Sequence, residues 1–175
     1  LHIAKVLNAL NENYVRLSTQ LIRFAEDCAK YRISESRRQG LIATKWATEF
    51  SQLEIDSLAV RGEIGSCRRL RIPIDIRHNN FRAADLPYNI EVRTTTSYHK
   101  RLKINPFDDD SRRTICAINT VKCPDVVFLA GWIYARDGKA IAPLTDPGKT
   151  GKPIHLVPLD RLLPMQHLCE IVKVS

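Results

Sequence analysis

The chain has 175 residues, 44% hydrophobic and 26% charged, a composition that excludes disorder and gives one domain with an appendage a real core. Its formal charge of +8 points to a polyanionic partner, nucleic acid foremost, because a positive surface gains from counterion release at phosphates. No apolar run approaches the roughly 20 residues that span a bilayer, and no charged-then-apolar signal layout opens the chain, so no membrane partner and a cytoplasmic location are expected.

The chain begins at Leu1 rather than Met, which leaves room for native residues upstream. Cys28, Cys67, Cys116, Cys123 and Cys169 form no CxxC pair and have no nearby CxxH. Scattered buried thiols in a reducing compartment are therefore expected rather than a structural zinc.

In chain order, residues 1–31 read as one helix. Leu7, Leu10, Tyr14, Leu17, Leu21, Phe24, Cys28 and Tyr31 step by threes and fours as a heptad seam, to be buried within the chain or in a homodimer. ISESRRQG, residues 33–40, reads as a polar, basic break. The division expected is a helical extension over 1–39 and a core with a short tail over 40–175. A second helix is predicted from Leu41, with Gly62 as a weak point, through GEIGSCRRLRI to Pro73.

After residue 80 the period changes. FRAAD, NIEVRTTT, RLKINPF, RTICAINT and DVVFLAGWIYA predict a meander of about five strands, separated by turn formers such as LPYN and DDDS. Asp137-Gly138 predicts a hairpin turn, Trp132 core or rim packing, IHLVP a short strand and LDRLLPM a turn of helix. Helices followed by strands make the class α+β.

Chemistry concentrates in RAADLPYNIEVRT. Strand alternation puts Glu91 and Arg93 on one face, and the LPYN turn returns the chain so that Asp85 nears Glu91. Two carboxylates so placed repel, and need protons, basic neighbours or a cation. Oxygen ligands at that spacing suit Mg²⁺ or Mn²⁺, with Glu63 as a third carboxylate from the helix. The plain alternative is a hairpin whose exposed acids pair with Arg82 and Arg93. Arg68, Arg69, Arg71, Arg77, Arg82, Lys100, Arg101, Lys103, Arg112 and Arg113 either line a nucleic-acid groove or form a solvated face. DDD at 108–110 reads as a solvated turn.

The order Glu63 on a helix, Asp85, a turn, then Glu91-Val92-Arg93 on a strand resembles the PD-(D/E)xK nuclease superfamily, the restriction-endonuclease-like fold. Residues 60–135 are also similar to small phage- or virus-associated proteins of this kind. The resemblance implies a metal-dependent endonuclease that hydrolyses DNA phosphodiester bonds. Asp85, Glu91 and the Val92 carbonyl would hold the metal, Glu63 would assist, and Arg93 would stabilise charge. Arg93 stands where the family has lysine and is a poor proton acceptor. His99, Lys100 and Lys103 are the alternatives for that step. A DNA-binding protein keeping this fold without cleavage, or a viral interaction module in a host cytoplasm, are the other readings.

Overall fold

The computed structural model describes residues 12–40, 50–76, 83–97, 99–147, 149 and 151–174. Among them the chain is an α+β protein with one mixed four-stranded sheet and one antiparallel three-stranded sheet. Among the described residues no helix is long and apolar enough to cross a membrane.

Strand β1, Tyr14–Arg16, pairs antiparallel with β5, Val126–Tyr134, and buries Val15. The helix expected over 1–31 is thus corrected: Glu12 is still helical, but the chain then turns at Asn13 into a strand before the next helix, and residues 1–11 lie outside the described residues. Helix α1, Thr19–Arg38, starts only at Ser18, whose hydroxyl accepts from the Leu21 N–H at 3.3 Å. It then runs through residues 33–38 of the expected break and ends inside it, at the Gln39 cap. Ser34 donates to the Tyr31 carbonyl and Arg38 pairs with Glu35, so these polar residues decorate the last turns of the helix. The buried face is Ala25 and Ala29, flanked by Leu21, Ile22 and Cys28, whereas Phe24 and Tyr31 of the heptad seam are exposed.

Helix α2, Gln52–Leu70, opens on a reciprocal capping box between Ser51 and Glu54. It closes on Arg71 in the left-handed region, φ 58°, two residues before Pro73. Residues 41–49, including Trp46, lie outside the described residues. Gly62 and Gly65 are the points at which α2 touches the sheet. A Cβ at Gly62 would overlap the Thr94 hydroxyl, and one at Gly65 would stand 2.8 Å from Val127 Cγ1.

The large sheet has the order β1-β5-β4-β2, with β2 Ile90–Thr95 and β4 Arg113–Ile118. β2 and β4 run parallel, with Glu91 opposite Thr114 and Arg93 opposite Cys116. A meander would have paired successive strands antiparallel. Instead β3, Leu102–Ile104, leaves this sheet and joins β7, Ile154–Val157, and β6, Leu144–Thr145. The FRAAD segment contributes no strand among the described residues. Leu86 forms only an isolated bridge to Ile90. At Asp137-Gly138 the chain forms helix α3, Ala135–Ile141, in place of the expected hairpin turn. Gly138 is buried there against Ile104 and Val157, where a side chain would not fit.

Helix α4, Met165–Val174, buries Met165, Leu168, Cys169 and Val172 in the main core. That core joins α1, α2, α4 and the large sheet around Ile64, Ile90, Ile115 and Trp132. A smaller one joins β3, β7 and α3 around Leu102, Ile104, Ile133 and Val157. Trp132 is core, as expected, and its indole N–H donates to the Pro164 carbonyl at 3.2 Å.

Substitution Gly65→Ala pushes a methyl group into Val127, a stiff β-branched neighbour on a central strand. It is expected to lower stability by about 1–3 kcal/mol, seen as a lower urea midpoint at unchanged slope. An unchanged midpoint would show that α2 does not lie this close to the sheet.

Candidate acidic site

The hairpin that carries the acids is closed by Leu86 and Ile90, whose backbones bond reciprocally at 2.9 and 3.4 Å. Between them Tyr88 and Asn89 both take positive φ, 63° and 55°. Asn can adopt this region; tyrosine pays a steric cost there. The turn is held from outside by Asn89 donating to Ser111 and by Arg113 donating to the Tyr88 carbonyl at 2.5 Å. Asp85 then accepts the Val92 backbone N–H at 2.8 Å, which fixes its carboxylate beside the strand.

Glu91 and Arg93 share a face, as strand alternation requires, and pair at 2.9 Å. The parallel neighbour brings in a second arginine. Arg112, just before β4, reaches Glu91 at 3.5 Å and Asp108 at 3.6 Å, and Arg93 also reaches Asp108 at 3.6 Å. The solvated turn expected at DDD is corrected for Asp108, which is buried with its other oxygen accepting the Asn105 N–H; Asp109 and Asp110 are exposed as expected. From the helical side, Arg32 of α1 grips Glu63 of α2 through two bonds of 2.8 Å.

Glu63, Asp85, Glu91 and Arg93 are therefore brought into one field. Asp85 raises the proton affinity of both Glu63 and Glu91. Burial is the largest cause at each acid. It pushes Glu63 up to about 7 against the opposing Arg32 bond, and Glu91 up to about 7 against Arg93 and Arg112. Asp85 is also raised by burial, against the Val92 N–H and the arginines. Glu63 is 4% exposed and Glu91 8%, while Arg93 keeps 34% of its side chain in solvent. The Arg93 Nε and the Thr94 hydroxyl are buried without a hydrogen-bond partner. A cleft of about 170 Å³ lined by Phe24, Cys28, Tyr31, Arg32 and Ile76 borders the Arg32 end.

The expected basic residues spread over several places. Arg68 and Arg71 are exposed at the end of α2, and Arg69 bonds Glu12 at 3.0 Å and Gln166 at 3.3 Å. Lys100, bonded to Thr96, and Arg101 and Lys103 are exposed around the start of β3. Arg77 and Arg82, with Asn79, Asn80 and Tyr98, lie outside the described residues. Besides Arg93, the arginines that meet the acids are Arg112, one of the expected basic residues, delivered by parallel pairing, and Arg32, which carries no motif and is delivered by helix packing.

Among the described residues no three or more His, Cys, Asp or Glu side chains are grouped to hold a metal ion. Guanidinium groups occupy the carboxylate oxygens of Glu63 and Glu91, and Asp85 uses one oxygen on Val92. As arranged, these donors do not fit a divalent cation.

No family model matches the chain, and no solved structure matches it. A curated protein from Methanoculleus marisnigri named tRNA pseudouridine synthase A is 38% identical over 90 residues. The match takes in 50% of this chain and 30% of that protein. It overturns the expected metal-dependent DNA endonuclease: the similar protein is named for pseudouridine formation in tRNA, not for phosphodiester hydrolysis. The nuclease, hydrolase and phage readings fall with it.

Carboxylates that bind protons more tightly when folded stabilise the fold most below their unfolded values, near 4.5, and lose that stabilisation as pH rises through about 7. The urea midpoint is therefore expected to fall between about pH 5 and pH 8, by on the order of a few kcal/mol in stability. Glu91→Gln removes part of this slope. A midpoint that rises over the same range would contradict the buried, protonated pair.

Proposed function

We propose that this chain is the RNA-contacting part of a tRNA-modifying protein, with the Asp85–Glu91–Arg93 centre as the place where a nucleotide meets acid–base groups. The observation that carries the reading is Arg93: a guanidinium one-third exposed, with a buried unpaired Nε, standing in front of Asp85 and Glu91, whose proton affinity burial raises. A cation facing solvent attracts a phosphate. Behind it, Glu91, which burial raises to about 7, donates or accepts a proton at a bound nucleoside. The choice of RNA, and of tRNA, is supported by the partial likeness to the named synthase. The chain's charge of +8 supports a polyanionic partner in general. The helix, turn and strand that carry Glu63, Asp85 and Glu91 are compatible with a restriction-endonuclease-like frame beneath this role.

The site's own charge sets a pH dependence. Four ionised carboxylates (Glu63, Asp85, Glu91 and Asp108) against Arg32, Arg93 and Arg112 leave one net negative charge. Protonation of Glu63 and Glu91, each near 7, turns that into one net positive charge. Affinity for a tRNA transcript is expected to weaken about three- to tenfold, ~1 kcal/mol, as pH rises from about 6 to 8. Glu91→Gln flattens the response, and a duplex DNA of equal charge binds less well at every pH. Equal affinity for tRNA and duplex DNA, or a pH-independent affinity, overturns the reading.

A further inference from the structure

A second cleft, of about 330 Å³, lies where the end of α2 meets α4. Arg69, Arg71, Gln166, Cys169 and Lys173 line it with Glu12. Three of these are cations and one is an acid, so the cleft is net positive. Arg69 is held in place by Glu12 and Gln166, and its Nε is a buried donor with no partner. Cys169 donates its thiol proton to the Arg69 carbonyl at 3.7 Å, tying the two helices together beneath it.

Arg71 and Lys173 are exposed and make no ion pair among the described residues. Arg71 is fixed by the left-handed C-cap, φ 58°, in which its own N–H bonds the Arg68 carbonyl and the Ile72 N–H bonds Cys67. Lys173 stands in the last turn of α4. Both helices end here, and each C-terminus carries about half a negative charge. The cations outweigh these partial charges, so an anion is held by side chains rather than by backbone.

We infer that this cleft is a phosphate-binding site for the backbone of a polynucleotide, with Arg71 and Lys173 as its free cations and Arg69 as its buried donor. It is separate from the acidic site, but α2 carries both. Glu63 and Arg69 are six residues apart on that helix, about 9 Å of rise, so the two sites are neighbours along α2. The cleft's charge stands on its own; only the choice of RNA as the polynucleotide rests on the tRNA-directed reading.

The test is the salt dependence of binding to a tRNA transcript and to duplex DNA. The native chain is compared with Arg71→Gln/Lys173→Gln and with a charge-matched control, Arg136→Gln/Arg161→Gln. All four positions are exposed, so circular dichroism should show the native fold in each variant. Removing two phosphate contacts should make the slope of log K against log salt shallower by about 1.4–1.8. The control should leave the slope unchanged. An unchanged slope in the cleft variant overturns the inference, as does an equal change in both variants, which would make the charge a diffuse cloud. Failure to bind either nucleic acid also overturns it. If the cleft variant loses slope equally on RNA and DNA, and the two bind alike, the cleft stands while the tRNA-directed reading falls. Competition by inorganic phosphate alone, with no change in polynucleotide slope, would assign the cleft to a free anion and overturn the polynucleotide role.

Discussion

Helix α2 meets the sheet at Gly62 and Gly65, where there is no room for a Cβ, and the acidic site depends on that close approach. Glu63 follows Gly62 on the helix face turned toward α1 and is buried there, whatever its charge costs. A lone carboxylate in such a place would be strongly destabilising. Arg32, on the neighbouring helix, supplies a two-point bond to it, and this fixes how α1 lies on α2. One packing constraint thus places an acid, recruits its counter-ion from another element, and joins α1 to the main core through Ala25.

Adjacent carboxylates can be held by protons, by basic neighbours or by a cation. This fold uses the first two together. Arg32, Arg93 and Arg112 each face an acid, while burial raises Glu63 and Glu91 far enough to share protons near neutral pH. Arginine suits this task because its charge is permanent and its fork matches a carboxylate. The consequence is a site whose sign changes with proton uptake while its cations stay fixed. A polyanion approaching Arg93 meets a surface that favours it most when the acids behind are protonated.

Local chemistry was legible in the sequence; long-range pairing was not. The strands β2, β4, β5 and β7, the core role of Trp132 and the Asp85 turn follow from alternation and turn residues, which act over a few positions. The parallel pairing of β2 with β4 has no such signal, so neither the pairing of Arg112 with Glu91 nor the burial of Asp108 could be read there. The heptad seam misled because Tyr14 and Leu17, although correctly spaced, belong to a segment that completes the sheet beside β5. Gly62 reads as a weak point by propensity, but tertiary contact inverts its meaning.

The same distinction explains why an acid, a turn and Glu-x-Arg pointed to a nuclease. Asp85 has a folding role, since it accepts the Val92 N–H where the chain enters β2. Glu91 and Arg93 have another, as neighbours on one strand face whose charges offset each other once buried. A hairpin stabilised in this way has the spacing of a metal site, with guanidinium groups and a backbone N–H on its carboxylate oxygens. Discrimination therefore rests on what surrounds the pattern. Here the surroundings are arginines already bonded to the carboxylates, in a chain whose longer likeness is to a protein named for its action on tRNA.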